Sequence, residues 1–237
     1  MKFKDYKVLV TGADQGIGLA VAKLFISEGA QVIGVGVDAE GLTGLGESFI
    51  PFNAGVGEGD IAKACAFAEE KFGAQLDTLV NAGVISSAAT PKNVSAEEFE
   101  AVMQGQLRAP MLYAKELYPC LEKSEKGPSI VNVASAMAHS NNPEGFLFGL
   151  ANTALVRLTK MTAIEFKDVR CNSVSAGICA CGADTEQLAA ATELIPAGRA
   201  AEPAEIAEAV AYLASIDAAY ITGSDILVDG GLLTRVM

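Results

Sequence analysis

Thr11-Gly-Ala-Asp-Gln-Gly-Ile-Gly18 joins an aliphatic, β-branched run, Val8–Thr11, to an amphipathic stretch, Leu19–Glu28. Glycines at 12, 16 and 18, set between a strand and a helix, let backbone amides and a helix N-terminus approach a pyrophosphate. The loop therefore nominates Gly12, Gln15, Gly16, Ile17 and Gly18 as dinucleotide-binding positions. It also places the first strand and first helix of an α/β sheet.

Outward from this loop, the same alternation runs to the end of the chain. Apolar runs occur at Gln31–Val37, Ser48–Phe52, Leu76–Asn81, Ile130–Ala134, Cys171–Ser175 and Asp225–Val228. Between them lie helical patterns at Asp60–Phe72, Glu97–Leu121, Leu150–Phe166 and Pro203–Ser215. Near-continuous apolar strands are what a parallel sheet covered on both faces requires. Strands alternating with helices predict a Rossmann-type, doubly wound parallel sheet of about seven strands, in the order 3-2-1-4-5-6-7. No Pro/Gly/Ser linker or repeat divides the chain, so residues 1–237 read as one domain.

With 51% hydrophobic residues in 237, one large core can be buried. A net charge of −12 argues against a nucleic-acid or anionic-membrane partner held by a basic face. No apolar run approaches membrane-spanning length, and Met1-Lys-Phe-Lys-Asp-Tyr-Lys7 has no signal-peptide core. The five cysteines, 65, 120, 171, 179 and 181, are odd in number and scattered, which reads as reduced thiols in a cytoplasmic protein. Cys179-Ala-Cys181 is too small a cluster for a zinc site, and the one histidine is His139; no metal is expected.

A second motif follows the strand Ser129–Ala134, where Ser135 precedes Phe148-Gly-Leu-Ala-Asn152 by thirteen residues. Together with the glycine loop, this resembles the short-chain dehydrogenase/reductase family from end to end. The resemblance implies a catalytic Ser at Ser135, with Tyr and Lys four residues apart where this chain has Phe148 and Asn152. It also implies an assisting Asn where the chain has Gln106. In the family the Tyr phenol exchanges the substrate proton, and the Lys lowers its pKa and grips the nicotinamide ribose. Spacing of four puts both on one helix face. Phe148 has no exchangeable proton and Asn152 no charge, so of the four only Ser135 remains. Loss of positioned acid–base catalysis costs about 10²–10⁴ in rate.

The same resemblance bears on the cofactor. The register at which NAD-binding members carry an Asp falls on Gly36, leaving Asp38 as the nearest substitute. Asn53 stands where an Asp often accepts from adenine, and its amide oxygen can still accept that bond. Asn81 and Gly83 belong to Thr78-Leu-Val-Asn-Ala-Gly83, a strand end that reads one residue short. Asp14 adds a negative charge beside the phosphate site and no Arg or Lys accompanies it, which disfavours NADP. Cys181 replaces a threonine that meets the nicotinamide carboxamide, and Ser175-Ala-Gly177 replaces a Pro-Gly approach. These departures count against tight NAD binding without excluding it.

The resemblance thus implies a chain that is inactive alone and supports an NAD-dependent alcohol dehydrogenase of hydroxyacyl-CoA type. That would be similar to the inactive subunit of the two-subunit dehydrogenase acting on hydroxybenzylsuccinyl-CoA. Its partner is expected to be an active paralogue, a second copy, or both, through helices 110–121 and 150–166. Ala151, Val156 and Thr159 are assigned to the outward face of the second of these. Two other readings stand beside it. One is an active oxidoreductase with a proton relay through Ser135 and His139, and the other a dinucleotide-binding sensor. The segment Ile178–Glu193, which covers the substrate in the family, has a basic residue only nearby, Arg199.

Overall fold

The computed structural model describes residues 1–38, 41–181 and 192–235. Seven parallel strands form one sheet: β1 (Lys7–Thr11), β2 (Gln31–Gly36), β3 (Phe49–Asn53), β4 (Thr78–Asn81), β5 (Ser129–Ser135), β6 (Arg170–Ala176) and β7 (Asp225–Val228). Their order is β3-β2-β1-β4-β5-β6-β7. The sheet runs outward in one direction through β2 and β3 and in the other from β4, so the order reverses between β1 and β4. The carboxyl ends of strands at such a reversal open a crevice.

Successive residues in each strand point to opposite faces, and both faces are dry. On one side Val8, Val10, Val32, Val80, Val131 and Val174 pack with Val21 and Phe25 of α1 (Gly16–Ser27). Ile206, Val210 and Leu213 of α6 (Pro203–Ala214) complete that layer. On the other, Leu9, Ile33, Leu79, Ile130 and Cys171 meet Ile61 and Phe72 of α2 (Glu58–Phe72). Leu112, Leu117 and Leu121 of α4 (Ala109–Leu121) fill the same layer. The helix α6 opens with Pro203 and a reciprocal capping box between Glu202 and Glu205. At its far end the Arg170 guanidinium donates to the carbonyls of Leu213, Ala214, Ser215 and Ala218.

Two elements differ from their sequence reading. The stretch 97–121 is not one helix: α3 (Ala96–Met103) gives way to a π-turn at Gln104–Arg108 before α4 begins. Pro110 has no N–H to give the carbonyl of Gln106 and its ring crowds that oxygen, so the ladder widens there. The last helix before β6, α5 (Phe146–Glu165), starts four residues early. Its Ala151, Val156 and Thr159, expected to face outward, are buried within the chain. Ala151, Leu155 and Thr159 lie one turn apart and form the inward stripe, leaving Leu150, Met161 and Ile164 as its large exposed apolar residues. Apolar residues around the whole circumference hid the phase.

Candidate functional site: a cleft at the carboxyl edge of the sheet

The ends of β1, β2, β4, β5 and β6 open onto a cleft of about 700 Å³. Its wall takes Thr11 and Gly12 from β1 and its turn, and Gln15, Gly16 and Ile17 from the start of α1. Asn81, Ala82 and Gly83 follow β4, and Ser135, Phe148 and Asn152 close the far end. Of the positions nominated from sequence, Gly18, Asp38, Asn53 and Gln106 are not in this wall. Asp38 and Asn53 are exposed. Gly18 serves the turn instead: a Cβ there would lie 2.0 Å from the carbonyl oxygen of Gly12.

The glycine loop is built for close approach. A Cβ on Gly12, whose φ is +66°, would lie 2.6 Å from the Cα of Gly83. Thr11 Oγ1 holds the two loops together by accepting from the amides of Ala82 (3.1 Å) and Gly83 (3.4 Å). At the β4 end Val80 pairs with Val10 and Asn81 with Thr11 without a bulge, so the strand keeps its register with β1 up to Asn81. Asp14 does not point its charge at the helix start. Its Oδ2 accepts from the amides of Val37 and Asp38, both at 3.0 Å, and the carboxylate lies over the end of β2. The α1 N-terminus has no acidic residue in its first turn and no cap from the Gln15 side chain, which leaves a positive helix end facing the cleft.

Opposite the loop, Asn152 is fully buried and its Nδ2 donates to the Phe148 carbonyl at 2.8 Å. Its Oδ1 has no partner. Asn81 Oδ1 is the other orphan among the described side chains. Its orientation is fixed by a buried chain. Thr159 Oγ1 donates to the Leu155 carbonyl and accepts from Asn132 Nδ2, and Asn132 Oδ1 accepts from Asn81 Nδ2. Sequence reasoning missed this chain. A polar Asn132 inside the dry run Ile130–Ala134 was the signal, since a buried amide must find partners. Two buried acceptors in one cleft wall match a ligand bringing hydroxyl donors, such as a ribose. Glycines at the helix start match its pyrophosphate. The residues present therefore fit a dinucleotide.

The reactive inventory of the wall is small. Ser135 Oγ accepts from the Met137 amide at 3.2 Å, capping the short helical turn Ala136–His139, while still lining the cleft. Gln106 is buried in the π-turn, with Oε1 held by the Ile85 amide at 2.9 Å. Among the described residues the phenol in the wall is Tyr113, on α4. Burial, with Cys65 and Asp60 nearby, raises its pKa far above the ordinary value, so it holds its proton. No lysine, arginine or histidine is among the described lining residues. His139 lies outside the wall with Nε2 on Asp225 Oδ2 at 2.7 Å, and Ser175 Oγ approaches the same nitrogen at 3.4 Å while donating to Asp225. One nitrogen serving both neighbours is not the arrangement of a nucleophile–base–acid relay. Arg199 is held by both oxygens of Glu205. The segment 178–193 has its residues 182–191 outside those described.

A family model described as enoyl-(acyl carrier protein) reductase matches residues 12–233. The chain belongs to the short-chain dehydrogenase/reductase family. It is 31% identical over 248 residues to a 3-oxoacyl-(acyl-carrier-protein) reductase of Thermotoga maritima, covering 98% of this chain and 100% of that one. It is 34% identical to a glucose 1-dehydrogenase of Gluconobacter oxydans, over 98% and 93% of the two chains. Among solved structures, a short-chain dehydrogenase/reductase described as glucose/ribitol dehydrogenase from Brucella melitensis superposes with a TM-score of 0.90. It shares 30% identity and 98% coverage of both chains. This chain accordingly has the short-chain dehydrogenase/reductase oxidoreductase fold, and that family typically binds NAD or NADP. Among the described residues no group of three or more His, Cys, Asp or Glu could hold a metal. No described helix is long and apolar enough to cross a membrane.

Proposed function

We propose that this chain is a dinucleotide-binding member of its family that is catalytically silent by itself and serves as the supporting subunit of a paired oxidoreductase. The observation that carries the reading is the α5 wall of the cleft, where Phe148 and Asn152 face the space beside Ser135. A bound nicotinamide supplies or takes up hydride. The protein's share is to hold the carbonyl or hydroxyl oxygen and exchange its proton, and here Ser135 can hold while nothing beside it exchanges. Phe148 keeps the aromatic volume and loses the acid. Asn152 has turned its amide back onto its own helix.

The pyrophosphate end is in better order than the chemical end. The glycine turn, the α1 terminus free of acidic residues and the two orphaned acceptors support retained dinucleotide binding, in a chain with no means of moving the proton. Exposed Leu150 and Met161 on α5 and Met111 on α4 support association of these helices with a second subunit. A paralogue carrying the Tyr and Lys is the partner this reading calls for, with a second copy of the chain as the other assembly.

The test uses the purified chain. Binding of NADH by fluorescence is expected. NADH consumption with acetoacetyl-CoA, and NAD reduction with glucose or cyclohexanol, are expected to stay at the protein-free rate. Turnover by the chain alone overturns silence, whereas absence of NADH binding overturns the dinucleotide site.

A further inference from the structure

In a doubly wound fold, a carboxylate near the end of the second strand receives the adenosine 2′-hydroxyl of NAD, and its charge rejects the 2′-phosphate of NADP. Here β2 ends in Gly36, which has no side chain to offer. Asp38, two residues on, is exposed and outside the cleft wall. The end of β2 nevertheless carries a carboxylate. A Cβ built on Gly36 would lie 2.5 Å from Cγ of Asp14 and 2.7 Å from its Oδ1, well inside contact distance. The Asp14 side chain therefore fills the volume into which a side chain at position 36 would project.

We propose that Asp14, reaching over from the glycine loop, replaces the missing β2 carboxylate and makes the cleft selective for a dinucleotide with a free 2′-hydroxyl. This deepens the dinucleotide reading above and rests on it. Three further observations hold the group in that role. The amides of Val37 and Asp38 fix Oδ2 at 3.0 Å each, so the carboxylate is oriented rather than free to swing. Asp14, Gly36 and Val37 all belong to the cleft wall although Asp14 is only 7% exposed. No arginine or lysine lines the wall among the described residues, so nothing there would neutralise a 2′-phosphate. Gly36 and Asp14 are thus one exchange: the strand gave up its side chain, and the loop supplies the same chemistry from the other side. A Cβ built on Gly41 would lie 2.3 Å from the Asp14 carbonyl oxygen, so that glycine sits close against the Asp14 backbone.

The experiment measures NADH and NADPH affinities by fluorescence for the unaltered chain, Asp14→Asn, and the exchange pair Asp14→Ala with Gly36→Asp. Asp14→Asn keeps the volume and an oxygen for the two amides but loses the charge, so the fold is retained. The unaltered chain is expected to prefer NADH by at least about tenfold, the effect of one charge-assisted hydrogen bond. Asp14→Asn should erase most of that preference, and the exchange pair should recover it. An unchanged NADH-to-NADPH ratio in Asp14→Asn overturns the assignment and leaves Asp14 a cap for the strand end. Equal binding of both dinucleotides by the unaltered chain overturns the assignment alone. Binding of neither overturns it together with the dinucleotide reading.

Discussion

Asn152 donates through Nδ2 to the carbonyl of Phe148, one turn back on α5, at 2.8 Å, and leaves its own Oδ1 buried without a donor. The two residues that would carry an acid and its activating cation are instead tied to one another in a contact with no exchangeable charge. Restoring the chemistry therefore requires both positions to change.

That requirement can be read without any substrate. Phe148→Tyr introduces a phenol at the cleft wall, and Asn152→Lys adds an ammonium four residues along the same face. A cation within about 4–6 Å favours the phenolate and lowers its pKa by roughly 1–3 units. Ultraviolet titration of Phe148→Tyr alone should place the new phenol at or above the ordinary tyrosine range. In the double variant it should fall by at least about one unit. Identical titrations in the two variants would mean that the α5 geometry no longer brings the positions together.

The buried chain Thr159–Asn132–Asn81 makes a second prediction. Thr159→Val keeps the shape but removes the oxygen that accepts Asn132 Nδ2 at 2.8 Å. An unpaired buried donor costs about 1–3 kcal/mol. Urea unfolding should show the stability lowered by that amount, as a lower midpoint with the slope unchanged. A neutral result would mean that Asn132 finds another acceptor, against the order of donors read here.

How much of this was legible follows from what each residue type fixes. The covered parallel sheet was legible because Val8–Thr11, Ile130–Ala134 and the other dry runs admit little else, whereas its strand order is the one Rossmann-type sheets share and is not specified by the runs themselves. Phe148 and Asn152 were legible because helical spacing alone sets their common face. The direction of Asp14 was not, since a side chain on a glycine turn points wherever the φ angles send it, and Gly12 and Gly16 are both positive. The outward face of α5 was not legible either. Leu150, Ala151, Leu155 and Val156 are apolar on both sides of the helix, and only the packed sheet chooses between them.

Arg170 gives a third prediction, on stability alone. Its half-buried guanidinium satisfies four carbonyls where α6 ends, and burial lowers its pKa without discharging it. Arg170→Met keeps the apolar stem and strands those oxygens, at an expected cost of about 3 kcal/mol. Urea denaturation should report the loss, while NADH affinity stays unchanged because Arg170 lies outside the cleft wall. An unaltered midpoint would show that solvent replaces the guanidinium at no cost.

Cys181 sets the pH dependence of the site. Its Sγ is hydrogen-bonded to that of Cys179 at 2.8 Å, and the Ile17 amide at the start of α1 donates to it as well. Both favour the thiolate and bring the pKa down to about 7. Burial instead pushes Cys65 and Cys171 up to about 12, so alkylation near neutrality should select Cys181. The folded pKa lies below the ordinary thiol value of 9.0. The thiolate's contribution to stability is therefore present above that ordinary value and is lost as pH falls through about 7. Iodoacetamide labelling of the Cys181 peptide, followed by mass spectrometry, should accelerate with pH about a midpoint near 7. Cys179→Ala should move that midpoint up towards the ordinary value. NADH should slow the labelling, because its pyrophosphate and the thiolate claim the same amide at the α1 terminus. Labelling that tracks an unperturbed thiol in both proteins would show that neither the Cys179 thiol nor the Ile17 amide stabilises the charge.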